Sequence, residues 1–131
     1  MKSIALLLLT PWLVTAQLPD RFIRALHLVE TGGRLGPVRG DQGRALGPLQ
    51  IHRAYWHDAV QHDKSLGGRY EDVADLRYAV LIVDAYMRRY APAAYRRRDL
   101  QTMARVHNGG PSGHRKQSTL RYWSKLQVYL R

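Results

Sequence analysis

Apolar residues recur at helical spacing through most of the chain. Phe22, Ile23, Leu26 and Val29 share one side of a helix. That helix is predicted to start at Pro19-Asp20, with Asp20 as its N-cap, and to stop at Thr31-Gly32-Gly33. Leu49, Ile51, Tyr55, Trp56 and Ala59 predict a second helix. Gly47-Pro48 would open it, with proline in a first turn where its missing N–H costs nothing, and it would end before Ser65. Val73, Leu76, Val80, Leu81, Val83 and Met87 form the most apolar run and predict a central helix from near Tyr70 to Pro92. Glu71, Asp72 and Asp75 suit its positive end, and Arg88 and Arg89 its negative end. A short helix over 99–106 and a last one over 118–129 complete the pattern, the latter with Leu120, Trp123, Leu126 and Leu130 on one side.

One stretch breaks the helical period. Residues 34–47 contain Gly36, Pro37, Gly40, Gly43 and Gly47, too polar for a helix and too short for a domain. A small hairpin or structured loop is expected there. The fold class that follows is α+β, predominantly α-helical, with a small β-hairpin or loop element. Neither an internal repeat nor a low-complexity linker divides the chain.

The N-terminus changes the picture. Lys2 is followed by an apolar run from Ile4 to Val14, and then by small residues around Ala16. The run is too short to span a bilayer, so residues 1–16 read as a cleavable signal peptide and 17–131 as one domain. The expectation is a secreted or periplasmic protein, with no transmembrane segment. It has no cysteine, so packing alone must hold it.

The formal net charge is +11, which implies attraction to polyanions. The densest clusters are Arg88-Arg89, Arg96-Arg97-Arg98 and Arg115-Lys116. Outside the cytoplasm the polyanions on offer are cell-wall polymers, lipid headgroups and free nucleic acid. A solvated basic surface with no specific ligand explains each cluster equally well.

Only two glutamates are present, Glu30 and Glu71. Glu71 lies where a helix start favours an acid. Glu30 follows an apolar stretch at the point where a helix gives way to a glycine-rich loop. A carboxyl there is partly desolvated, which disfavours its ionised form and suits a general acid for glycoside cleavage. An ordinary solvated glutamate is the competing reading. Asp41, inside the loop, is the second candidate; a turn aspartate beside glycine is its bland alternative. His107 reads as a substrate donor, a base or a structural histidine. His52, His57 and His62 recur every five residues, which scatters them around a helix. No metal and no cofactor are expected, and no HExxH, P-loop or dinucleotide motif occurs.

An ordered set of segments points further. Val29-Glu30-Thr31-Gly32, Gly40-Asp41, Gly47-Pro48-Leu49-Gln50-Ile51, Ala54-Tyr55-Trp56, Tyr86-Met87-Arg88-Arg89-Tyr90, Ala104-Arg105-Val106-His107-Asn108-Gly109-Gly110-Pro111 and Tyr122-Trp123-Ser124-Lys125-Leu126-Gln127 span nearly all of the chain after the signal. Together they resemble the invertebrate-type lysozymes, the family that includes destabilase. The resemblance implies a lysozyme-like fold with a glycan cleft. It implies Glu30 as catalytic acid and Asp41 as nucleophile or charge stabiliser, with Gln50, Tyr55, His107 and Asn108 at or near the substrate. The partners it implies are peptidoglycan strands, with anionic wall polymers held by the basic surface. A monomer with no specific nucleic-acid ligand is expected. The family is rich in disulfides and this chain has none, so the loop around Asp41 must be fixed in another way.

Two rivals remain at this level. The segment 47–51 is also similar to one in lytic transglycosylases, which use a single glutamate and release a 1,6-anhydro sugar. A non-enzymatic cationic wall-binding protein is the other. Some members of the resembled family also cleave isopeptide bonds with a serine and histidine pair, but none of the serines here matches that nucleophile.

Overall fold

The structure, a computed structural model, describes residues 18–131, so the expected signal peptide lies outside the described residues. Helix α1 spans Asp20–Thr31 and buries Phe22, Ala25 and Leu26. Its cap is Pro19, one residue earlier than expected, whose carbonyl accepts from the amides of Phe22 and Ile23. Asp20 therefore sits in the first turn, where its charge still favours the helix dipole. At the other end Gly32 takes a left-handed conformation and, with Gly33, returns its amide to the last turn.

The glycine-rich stretch forms three two-residue strands, β1 (Arg39–Gly40), β2 (Ala45–Leu46) and β3 (Ile51–His52). They pair antiparallel in the order β1-β2-β3, with Arg39 opposite Leu46 and Leu46 opposite Ile51. The sheet thus runs further than the expected hairpin, and helix α2 (Arg53–His62) begins later than Gly47-Pro48. The reason is backbone geometry. Gly47 has φ +83° and Gln50 has φ +52°, so neither joins a right-handed helix. A Cβ at Gly47 would also collide with the Val73 carbonyl. Leu49 and Ile51 are fully buried, but from a turn and a strand.

The central helix α3 spans Leu76–Tyr90, preceded by a 3₁₀ turn over Tyr70–Ala74. Asp75 separates the two by accepting the Tyr78 amide at 3.0 Å as an N-cap. Pro92 does end the continuous helix, but it also opens a short α4 (Pro92–Arg97), which the apolar period did not announce. Helix α5 (Leu100–Gly109) is capped by Asp99, which accepts the Thr102 amide at 3.1 Å. Helix α6 (Leu120–Gln127) is flanked by 3₁₀ turns over Gln117–Thr119 and Val128–Leu130.

One core joins these elements. Phe22, Leu26, Leu49, Ile51, Ile82, Met87, Met103 and Leu126 are all fully buried within it. Helix α3 lies centrally, against α2, α4 and α5. A half-buried polar network stands where a staple would be useful. Arg88 donates to Asp84 at 2.9 Å and to Asp63 at 3.0 Å, and Tyr95 donates to Asp84 at 2.9 Å. It ties the end of α2 to α3 and α4. The Ser65 hydroxyl and the Arg88 guanidinium hold the Asp63 carboxyl below its ordinary range, against the opposing effect of burial. Arg89 is spent similarly, donating to the Asp58 carbonyl at 2.8 Å and to Gln61 at 3.0 Å. The Arg88-Arg89 cluster is therefore an internal tie, and Lys116 donates to the Gly109 carbonyl at the end of α5. Among the described residues, no helix is long and apolar enough to cross a membrane.

Candidate active site

Glu30 sits in the last turn of α1, and four other segments converge on it. Its side chain is 18% exposed. Thr31 donates to the Pro48 carbonyl at 2.9 Å, which fastens the end of α1 to the turn before β3. That turn presents the Leu49 carbonyl. Helix α5 brings His107, whose Nε2 lies 3.1 Å from Glu30 Oε2 and 3.2 Å from the Leu49 carbonyl. Helix α6 brings Tyr122, whose hydroxyl donates to the same Oε2 at 3.3 Å. Helix α2 brings Tyr55, whose hydroxyl is 3.0 Å from His107 Nδ1.

Hydrogen-bond accounting assigns the protons. The Leu49 carbonyl only accepts, so His107 Nε2 carries a hydrogen and shares it between that carbonyl and Glu30. In the neutral ring Nδ1 is then an acceptor, and the Tyr55 hydroxyl donates to it. Burial above all, then the neighbouring Tyr86 and Glu30, pushes the Tyr55 hydroxyl well above its ordinary range. Burial and Glu30 do the same to Tyr122. Both phenols therefore stay protonated and remain donors. Glu30 Oε2 receives two donated hydrogens. Oε1 takes part in neither bond, so a proton on this carboxyl has its place on Oε1.

Packing fixes the supports. The Tyr55 ring stacks on Tyr86 with centroids 3.6 Å apart and meets the His107 ring edge-on at 5.3 Å. The His107 side chain is 2% exposed. Both ring nitrogens are used inside the protein, on Tyr55, Glu30 and Leu49, and no serine is among these partners.

The other expected site residues lie in different settings. Asp41 occupies the turn between β1 and β2 with φ +51° and a side chain 47% exposed. Arg44 Nη2 lies 3.0 Å from its Oδ1, and His52 Nε2 lies 3.2 Å from its Oδ2. These partners hold the turn that the chain fixes without cysteines. Gln50 spends its amide on the carbonyls of Val38 and Gly47, at 3.1 and 3.0 Å, and so shapes the sheet. Asn108 is exposed near the end of α5. Residue chemistry does not single out Tyr122, the Leu49 carbonyl or Arg44, and His52, read as a helix residue, lies in β3 instead. The available signal for Tyr122 was its place in the Tyr122-Trp123 segment; a backbone carbonyl leaves none.

Comparison with known proteins gives the family and the fold. The destabilase family profile matches residues 23–128. A lysozyme of Ostrea edulis is 33% identical over 95% of this chain and 90% of its own length. A lysozyme of Meretrix lusoria is 37% identical over 82% of this chain and 87% of its own. The crystal structure of the inhibitor-bound Meretrix lusoria lysozyme superposes with a TM-score of 0.72 at 32% identity, covering 87% of this chain and 92% of that one. The Tapes japonica lysozyme superposes with a TM-score of 0.68 at 31% identity, covering 83% and 88%. The mostly helical fold with its small sheet is thus the lysozyme fold, and the chain is an enzyme of the invertebrate-type lysozyme family that includes destabilase.

Proposed function

We propose that this protein hydrolyses the β-1,4 glycan backbone of bacterial peptidoglycan, with Glu30 as general acid and Asp41 as its ionised partner. The observation that carries the reading is the one-sided support of Glu30. Two donors fix Oε2, and neither engages Oε1. The side chain is mostly shielded yet still reachable, as proton donation to a glycosidic oxygen requires.

In this mechanism Glu30 Oε1 protonates the leaving oxygen, and the C1–O bond breaks with positive charge growing at the anomeric carbon. The carboxylate that forms stays aligned by His107 and Tyr122, whose hydrogen bonds strengthen as negative charge develops on Glu30. Asp41 stabilises the oxocarbenium character or bonds to the anomeric carbon; water then attacks that carbon, displacing the Asp41 carboxylate where it has bonded, as Glu30 takes the water's proton. Arg44 and His52 hold the Asp41 carboxylate in position. The wall is reached by electrostatic attraction. The exposed Arg96, Arg97 and Arg98 at the end of α4 remain available for that purpose.

A second reading draws on the same pairing. Both Asp41 oxygens are engaged, by Arg44 and His52. If Asp41 only shapes the turn, Glu30 acts alone and releases an anhydro sugar. Turbidity clearing of purified peptidoglycan, with mass spectrometry of the products, tests both. Hydrated reducing ends are expected; products lighter by one water would establish the second reading, and no cleavage at all would end both.

A further inference from the structure

A cavity of about 380 Å³ opens beside the Asp41 turn. Arg39, Arg44, His52, Arg53 and Tyr70 line it, with Gly43 at the loop. Three of these side chains are guanidinium groups, drawn from β1, the β1–β2 loop and the start of α2. The cavity has a rigid base. Tyr70 is 4% exposed, and its hydroxyl donates to the Ile51 carbonyl at 2.6 Å. The Arg53 guanidinium lies over the Tyr70 ring, 4.5 Å from its centroid, which orients a side chain that would otherwise sample many rotamers.

The basic side chains differ in how far they are committed. Arg44 and His52 reach out of the cavity to Asp41. Among the described residues Arg39 donates a single long bond, 3.4 Å, to the Gly43 carbonyl. Arg53 pairs with Glu71 at 3.6 Å, and both side chains are more than half exposed. An exposed pair of that length contributes little and is easily exchanged for a better acceptor. The site therefore holds two guanidinium forks with spare donors and a shaped floor, with Glu71 weakly paired to one fork and the Asp41 carboxylate already taken by Arg44 and His52.

We propose that this cavity is an oxyanion subsite, which binds the acidic groups hanging from a glycan strand whose backbone passes Asp41. Planar guanidinium forks suit carboxylate and phosphate oxygens. Two sources carry that chemistry in a bacterial wall: the carboxylates of peptide stems and the phosphodiesters of accessory polymers. The subsite rests on the function proposed above for its substrate, but it is read out by binding, independently of turnover.

The experiment uses the full chain carrying Glu30→Gln, so that no ligand is consumed. Calorimetry measures its affinity for three probes: a peptide-bearing muropeptide, a glycerol-phosphate polymer and a neutral chito-oligosaccharide. Arg39→Gln with Arg53→Gln is expected to weaken binding of the acidic probe by about tenfold or more and to leave the neutral one unchanged. Which acidic probe responds identifies the source. Glu71→Gln removes the competitor and is expected to tighten the same probe by about twofold to threefold. Equal weakening for all three probes, or none for either acidic one, overturns the subsite. Turnover by the unmodified protein judges the glycosidase reading on its own.

Discussion

His107 Nε2 lies 3.1 Å from Glu30 Oε2, and the Leu49 carbonyl beside it dictates that this nitrogen bears a hydrogen. The histidine is therefore a donor to the acid and sits behind it, on the core side. Its side chain is 2% exposed while that of Glu30 is 18% exposed, so the pair is graded from core toward solvent. Glu30→Gln is expected to abolish peptidoglycan clearing without altering the circular dichroism or thermal midpoint appreciably. Near-native clearing by that variant would remove Glu30 from the mechanism.

The supports should matter in order of their geometry. His107→Ala removes the buried donor and takes its hydrogen bonds from the Tyr55 hydroxyl and the Leu49 carbonyl, so both activity and stability should fall. Tyr122→Phe removes only a 3.3 Å donor to Glu30. A loss of about threefold to tenfold in kcat, equivalent to roughly 0.6–1.4 kcal/mol of barrier, with KM unchanged, is expected from steady-state kinetics on a soluble oligosaccharide. An effect on KM alone would mean that Tyr122 meets the sugar instead of the acid.

Asp41 separates two chemistries. Asp41→Asn is expected to cut activity by about a hundredfold or more if the aspartate stabilises transition-state charge. His52→Gln and Arg44→Gln, which loosen its two partners, should each show a smaller loss. A loss under about threefold in Asp41→Asn, together with anhydro products, would assign the aspartate to the turn alone.

Two glycines distinguish space from backbone. Gly32→Ala meets nothing within 4 Å, so its cost is that of a left-handed residue, about 1 kcal/mol. Gly47→Ala combines φ +83° with a collision against the Val73 carbonyl, so the turn must move. A loss of about 2 kcal/mol or more in denaturant midpoints, and disturbed activity through the displaced Leu49 carbonyl, are expected. Equal costs for the two variants would mean that the turn yields freely.

Acid should release the α2–α3 tie. The Asp63 carboxyl is held below its ordinary range by Ser65 and Arg88, so the unfolded chain binds a proton more readily than the folded one. Its stabilisation is complete above the ordinary carboxylate pKa of about 4 and is lost as pH falls through the lower folded value. Asp63→Asn should be less stable than the native protein at neutral pH, and the gap should narrow below pH of about 4. A constant gap across that window in thermal melts would show that the ion pair adds nothing.

Salt should separate wall attraction from chemistry. Exposed charges are screened beyond about 10 Å at 0.1 M and about 3 Å at 1 M. Wall clearing is expected to fall steeply with salt, while cleavage of a neutral oligosaccharide changes little. Replacing Arg96, Arg97 and Arg98 with glutamine should weaken clearing and flatten the response. Equal salt sensitivity on both substrates would place the effect on the fold or the acid itself.

The sequence by itself determined the helices with a strong apolar period and their stops. Phe22 and Leu26 marked α1 because burying one stripe is a local, periodic demand, and Gly32 marked its end because the left-handed cap is local too. It also marked Glu30, through the contrast of an apolar helix meeting a polar loop. Three things escaped it. Pro92 fits equally well at the end of one helix and the start of the next, and only the turn at Ala91 chose both. Leu49 and Ile51 are as apolar as helix residues, yet the left-handed Gly47 and Gln50 and the Val73 carbonyl forced a turn and a strand. The partners of Glu30 are His107 and Tyr122, distant in the chain and brought to it only when α1, α5 and α6 pack, and the Leu49 carbonyl that orients His107 arrives from yet another segment. That His107 Nε2 carries the hydrogen it donates to Glu30 depends on a backbone carbonyl, a group every residue possesses, so only tertiary packing decides it.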